Sequence, residues 1–414
     1  MMTSPQTKVF SDLLSVTAEG KPQLLEGVHP LPELLNLTAE QVLARFKLDQ
    51  QRDFQQIITQ LDDPENPLFR LFDALRQTAL SQPGSETLAD IAVFKSGEME
   101  RLFLELHEHV MDHPVWRHPF FVRVFNGDFD QVQLTAFAKQ YFNQIKNTRQ
   151  CVALALGRFA GVNEMPYGCL NERISELTQI VLAQLLADEY GVGSHSIDDY
   201  PSMSGLFESV THIVMYRQIF EGLGVPFTEQ DVPMLPGVAD NVLIQRLVAG
   251  DGRFSSLEAL ASVGLGMEWG VPEFFSLLLG GMIRFAWQHE VPLTRRHLHV
   301  FIAHVQYDVL HAISVMMVTS FFTGDEDAVA RIKNAVNMLM SGRYAMMSDV
   351  YRYVFDEPCA GIQEINLESK YQLTDRRIEQ ALREARARVA VATVLGGEAY
   401  RQREDVPFVF VEGV

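Results

Sequence analysis

The chain has 414 residues, 47% of them hydrophobic, and a formal net charge of −19 at pH 7. That content can bury a sizeable core and excludes a disordered chain; the length allows two or three domains, which helical packing can merge. The acidic balance argues against a nucleic-acid partner and against charge-driven binding to an anionic membrane, while leaving room for a local basic pocket. Cys151, Cys169 and Cys359 form no C-x-x-C and are odd in number. No disulfide framework is expected, and a cytoplasmic location fits. The first residues show no basic-then-apolar signal pattern. No apolar run long enough to span a membrane is free of charge; the nearest, 300–319, has Asp308 in its middle.

In chain order, residues 1–95 read as a helical arm. Thr38 and Gln41 have the spacing of a capping box before L-T-A-E-Q-V-L-A-R-F. Residues 67–80 place Leu68, Leu71, Phe72 and Leu75 on one helical face, and S-Q-P-G-S-E-T (81–87) reads as a linker. The arm offers no chemistry and is a candidate docking or dimerisation layer. An amphipathic helix over 88–112 is broken by the two prolines of H-P-V-W-R-H-P-F-F, and N-G-D-F (126–129) is a turn. Helices follow over 130–145, continuing or restarting at 151–160, and over 171–190, which stops at Gly191. Further helices cover about 204–223, a segment starting near Asp240 as N-cap, 256–269 and 272–285. Thr294 is the expected N-cap leading into 300–319. A helix over 325–355 and a charged, solvated one over 374–390 close the series, with V-P-F-V-F-V (406–411) as a docked tail. The pattern is all-α, with helices long enough to pack as a bundle.

The helix over 300–319 carries the chemistry. His304, Asp308 and His311 stand at i, i+4 and i+7, one face of one helix, with no Lys or Arg in the stretch. A buried carboxylate needs a partner, and two imidazoles with one carboxylate suit a transition metal, iron above all. The plain alternative is a helix with two core histidines and an ion pair. Ligands from facing helices are then required. Glu189 in L-L-A-D-E-Y-G and Glu268 in L-G-M-E-W-G each put an acid in an apolar context, and glycines around Glu268 permit close helix approach. Asp188 is expected to be solvated. His195 is the expected histidine after Glu189, with His212 as its rival. His289, His297 and His299 read as surface residues, and the six methionines at 316, 317, 338, 340, 346 and 347 as core filler. There is no P-loop, nucleophile elbow or H-E-x-x-H.

H-P-F-F-V-R-V-F-N-G-D-F-D-Q-V-Q-L-T-A-F-A-K-Q-Y-F (118–142) resembles the early helices of the haem-oxygenase-like fold, shared by thiaminase-II-like proteins and pyrroloquinoline-quinone synthase. D-E-Y-G and H-x-x-x-D-x-x-H resemble the haem-oxygenase-like diiron oxidases and oxygenases, over about 98–355. The resemblance implies metal ligands at Glu189, His195, His304, Asp308 and His311; Glu268 rests on its own surroundings. It implies two Fe(II), O2 as co-substrate, and a small organic metabolite oxidised by N-oxygenation, hydroxylation, desaturation or C–C cleavage. Gln144 stands where the group often has a carboxylate for the second iron, with Glu164 and Glu172 as the nearest substitutes. The resulting expectation is a bundle over 96–356 carrying the site, between an arm over 1–95 and an extension over 357–414. The alternatives are a metal-free enzyme of the same fold, thiaminase-like or quinone-synthase-like, and a haem protein with His107 or His109 as axial ligand. On the first reading, Gln306 and Tyr307 would support the ligands.

Overall fold

The structure is a computed structural model that describes residues 37–81, 95–159, 170–191, 211–225, 232–293 and 296–412. Within helices, the side chains of 45, 46, 49, 272, 273, 302, 303 and 305–309 are excepted. The described residues form helices and no β-strand; their only β pairing is two isolated bridges. The expected capping box is formed at the start of α1 (Ala39–Gln60): Thr38 accepts from the Gln41 amide and Gln41 returns a bond to the Thr38 amide. Helix α2 (Pro67–Leu80) follows, its proline in the first turn, where a missing N–H costs nothing. Both pack into the main hydrophobic core, through Val42, Phe54, Ile58, Leu75 and Ala79.

Helix α3 (Ser96–Met111) leads into two proline-initiated turns, a 3-10 turn (Pro114–Arg117) and α4 (Pro119–Phe125). Each is capped by a histidine: His113 Nδ1 accepts from Val115 and His118 Nδ1 from Phe120, both at 3.1 Å. Helix α5 (Gln131–Leu156) is one continuous element, opened by an Asp130–Gln133 capping box. Helices α6 (Asn171–Glu189) and α7 (His212–Gly222) come next. Helix α8 (Pro236–Gly250) begins at Pro236, not at Asp240; Asp240 lies inside it, buried. Helix α9 (Ser256–Ala261) passes into a π-helical segment, Ser262–Glu268, and then α10 (Val271–Gln288). Helix α11 (His299–Ser320) has Leu298 as N-cap, while Thr294 lies outside the described residues. Helix α12 (Ala328–Phe355) is followed by α13 (Arg377–Arg388) and α14 (Gly397–Arg401).

Helix α8 packs between α5 and α12, with α13 on its outer side; α11 packs on α10, α6 and the π segment. The six methionines are buried, as expected of core filler. The tail docks as expected: Leu373 and Phe410 form an isolated bridge, and Phe408 is buried. The expected solvation of α13 fails along one face, where Ile378, Ala381, Leu382 and Arg386 are buried. Arg386 is fully buried and forms a two-pronged bond to Asp240 at 2.8 and 2.6 Å. No helix among the described residues is long and apolar enough to cross a membrane.

Candidate metal centre

Glu189 is the last residue of α6. Gly191, at φ +65°, turns the chain away, a conformation that glycine adopts without strain. The Arg149 guanidinium sits 4.9 Å from the centre of the Tyr190 ring and pins this end. His212 is the first residue of α7, set by its N-cap Thr211, whose side chain accepts from Val214. Its Nδ1 lies 3.2 Å from Glu189 Oε1.

His304 comes from α11. Its Nδ1 is 2.6 Å from the Val300 carbonyl, which can only accept, so Nδ1 carries the proton and Nε2 is the basic nitrogen. The ring is held flat on Phe275, with centroids 4.4 Å apart and planes 5° apart, and its centroid lies 4.5 Å from that of His212. One ligand atom from each of Glu189, His212 and His304 falls within 4.8 Å of the others, a group that could hold a metal ion. Two imidazoles and one carboxylate are the donor set of the facial triad that binds non-haem Fe(II) and leaves positions open.

The electrostatics suit a cation. Burial by itself pushes the Glu189 carboxyl up, but the imidazoles of His212, His304 and His311 more than offset it and hold the acid below its ordinary range. A carboxylate here, buried beside two imidazoles, is a charge that a bound metal would neutralise.

Glu268 enters the same cavity from another side, as the last residue of the π segment. Small residues make this packing possible. A Cβ on Gly266 would lie 2.6 Å from Leu339, and one on Gly270 would lie 1.9 Å from Trp116. The cavity measures about 30 Å³ and is lined by Glu189, His212, His304, Glu268, Gln144 and Arg343, with aromatic and aliphatic walls. Gln144 is committed to neighbouring amides: it donates to Gln245 Oε1 at 3.0 Å and accepts from Asn241 at 2.5 Å. Asn147 donates to the same Gln245 oxygen at 2.8 Å.

The sequence-predicted residues divide three ways. Glu189, His304 and Glu268 come together in the cavity. His311 is not one of the three grouped ligands among the described residues; its Nε2 is 2.9 Å from Asp188 Oδ2. Asp188, expected to be solvated, is instead its ion-pair partner, because consecutive carboxylates at a helix end can serve two neighbours on α11 and α7. His195 lies outside the described residues, and Asp308 lies on α11 among the side chains not described, as do Gln306 and Tyr307. Among the described residues His212, the rival to His195, meets Glu189.

Glu164 is outside the described residues, and Glu172 is exposed in the first turn of α6. At 1.5 Å per residue that is about 25 Å from Glu189, too far to serve the cavity. The two haem candidates are engaged in the scaffold. His107 Nδ1 accepts from Trp269 at 2.8 Å and its Nε2 donates to the Lys47 carbonyl at 3.0 Å. His109 Nε2 donates to Asn337 at 2.8 Å. The sequence reading did not single out Arg343, although a lone cation in V-N-M-L-M-S-G-R-Y-A-M-M was a signal it could have used.

Comparison with known proteins finds no matching family model and no matching curated protein. Among solved structures, the chain is similar to a TenA homolog from Pseudomonas syringae pv. tomato. The identity is 12% and the TM-score 0.43, covering 66% of this chain and 98% of that one. At this TM-score the likeness carries no weight for the chemistry, which has to come from the residues themselves.

Proposed function

We propose that this chain is a non-haem iron enzyme of the haem-oxygenase-like fold that uses O2 to oxidise a small organic metabolite. The bundle over 96–356 would hold the site, between the arm over 1–95 and the extension over 357–414. The observation that carries the reading is the buried group of Glu189, His212 and His304, a two-histidine, one-carboxylate donor set opening on a cavity. Bound Fe(II) would supply a centre for O2 activation with coordination positions left open. Glu189 would contribute the negative charge of the donor set. The Val300 carbonyl fixes the His304 tautomer so that Nε2 is the donor, and Phe275 fixes the ring plane. The amides of Gln144, Asn241 and Gln245 brace the α5–α8 wall. For the second iron expected from sequence, the described side chains provide Glu268 on the facing wall, and the amide at Gln144 provides no charge.

That amide favours a second reading: a metal-free enzyme of the same fold, in which polar side chains orient an organic substrate directly. Anaerobic titration with Co(II), followed by visible spectroscopy and metal analysis, separates the two. The iron reading expects ligand-field bands that saturate at a defined stoichiometry and vanish in His304→Ala. Fe(II)-loaded protein should then consume O2. Wild-type protein that retains no more Co(II) than His304→Ala defeats the iron reading.

A further inference from the structure

Arg343 is the least explained group in the cavity. It sits in the middle of α12, is 7% exposed, and lines the same space as Glu189, His212 and His304. Its Nη1 has no hydrogen-bond partner among the described residues. The guanidinium lies 5.6 Å from the centre of the Trp116 ring, a contact with a π face that satisfies none of its N–H groups. Burial lowers its pKa, with Tyr141 and then Glu268 working the other way. Glu268 is thus close enough to be felt, and Arg343 Nη1 still has no acceptor among the described residues. Elsewhere the chain handles buried arginine differently: Arg386 has a two-pronged carboxylate and two backbone carbonyls. A buried guanidinium nitrogen left without an acceptor is costly, and a planar fork is the shape that grips a carboxylate.

Counting charge narrows the ligand. Arg343 is the described cation of the lining, and Glu189 and Glu268 are its described carboxyl groups. With both carboxyl groups ionised, a divalent metal on the histidine–glutamate group would leave the described lining with one net positive charge, which suits a monoanion better than a dianion. The remaining walls, including Tyr141, Ile145, Val271 and Phe274, suit an apolar body. We propose that Arg343 anchors the substrate and that the substrate is a small monocarboxylate, its carboxylate on the guanidinium and its apolar end against the aromatic wall. This rests on the iron reading for the charge count and goes beyond it in naming the substrate class and its anchor.

The test uses the full chain and butyrate as probe, with butyramide as its neutral isostere and inorganic phosphate as the dianion. Binding is followed by ligand-observed NMR on metal-free and Zn(II)-loaded protein, and metal binding separately by Co(II) absorption. Butyrate should bind the Zn(II)-loaded protein, and butyramide and phosphate more weakly by roughly ten- to a hundredfold. R343M should lose butyrate by a similar factor while keeping the Co(II) bands, and R343K should fall between. Thermal melts establish that the variants fold; if R343M does not, R343K and the butyrate–butyramide contrast still decide. Equal binding of butyrate and butyramide overturns the proposal. So does R343M binding butyrate as well as wild type, which would place the carboxylate on the metal instead. If Co(II) and Zn(II) do not bind, the iron reading fails alone. Arg343-dependent butyrate binding to metal-free protein would then sustain the anchor, and its absence would overturn it.

Discussion

Replacing Asp240 by Asn tests how the C-terminal extension is fastened to the bundle. Asp240, on α8, faces Arg386 on α13; both side chains are at most 1% exposed. The carboxylate accepts from Arg386 Nε at 2.8 Å and Nη2 at 2.6 Å, and from the Tyr400 hydroxyl at 3.1 Å. The Asn amide is nearly the same shape, but it removes the charge and turns an NH2 group toward a guanidinium that has only donors. Arg386 keeps its bonds to the carbonyls of Arg403 and Asp405 and loses its counter-ion. Breaking one side of a buried pair costs about 3–5 kcal/mol. For 414 residues, unfolding entropy is about 0.9 kcal/mol per degree, so Tm should fall by roughly 3–6 °C. Far-UV circular dichroism melts measure this directly. The double variant Asp240→Leu with Arg386→Met should recover most of the loss, since an apolar pair of similar volume is often as stable. A Tm for Asp240→Asn within about 1 °C of wild type refutes the reasoning, because the pair would then be worth less than an exposed one.

Three further outcomes are expected. His212→Ala should abolish saturable Co(II) binding, whereas His311→Ala, whose imidazole faces Asp188, should retain it; the opposite pattern in metal analysis would restore the sequence-based ligand set. Gly270→Ala places a methyl 1.9 Å from Trp116. It should destabilise by about 1–3 kcal/mol or more, read as a lower urea midpoint. Acid should weaken the fold through four buried histidines, chiefly by desolvation: His107 and His109 are lowered to about 4, His113 and His118 to about 3. The unfolded chain takes up these protons below about pH 6.5 and the native one does not. Their stabilisation is therefore full above that pH and is lost as pH falls from 6.5 toward 4 and then 3, at up to about 1.4 kcal/mol per unit for each histidine. Urea melts across this range should show the slope, and His118→Asn should make it shallower; an unchanged slope would show that His118 takes no part.

Much of the helical frame was legible because its signals are local. Thr38 with Gln41, Pro67 at a first turn and Gly191 past a last one each act within a few residues. The candidate site was legible where one residue's surroundings betray it: Glu189, Glu268 and His304 are polar groups in apolar runs. His212 was harder, since it stands at the start of one helix and Glu189 at the end of another. No helical period relates them across that connection, and only the packing of α6, α7 and α11 does. His311 illustrates the converse. Its spacing from His304 is right for a shared face, but a face is broad enough for one imidazole to meet Glu189 and the other Asp188. Asp240 and Arg386, 146 positions apart, were read as a cap and a solvated cation because each lacks any local sign of its partner.

The π segment at Ser262–Glu268 has a consequence for how the cavity could be altered. A π turn is in effect an α-helix with one residue too many. Deleting one residue between 262 and 267 would let the segment wind as α, and each residue of an α-helix turns by about 100°. With α9 held in place, the carboxylate of Glu268 would turn out of the cavity, and Gly270 would turn away from Trp116 with it. One residue of chain length thus acts as a rotary setting for an acid, so that its presence in the cavity is a matter of register as well as of side-chain identity.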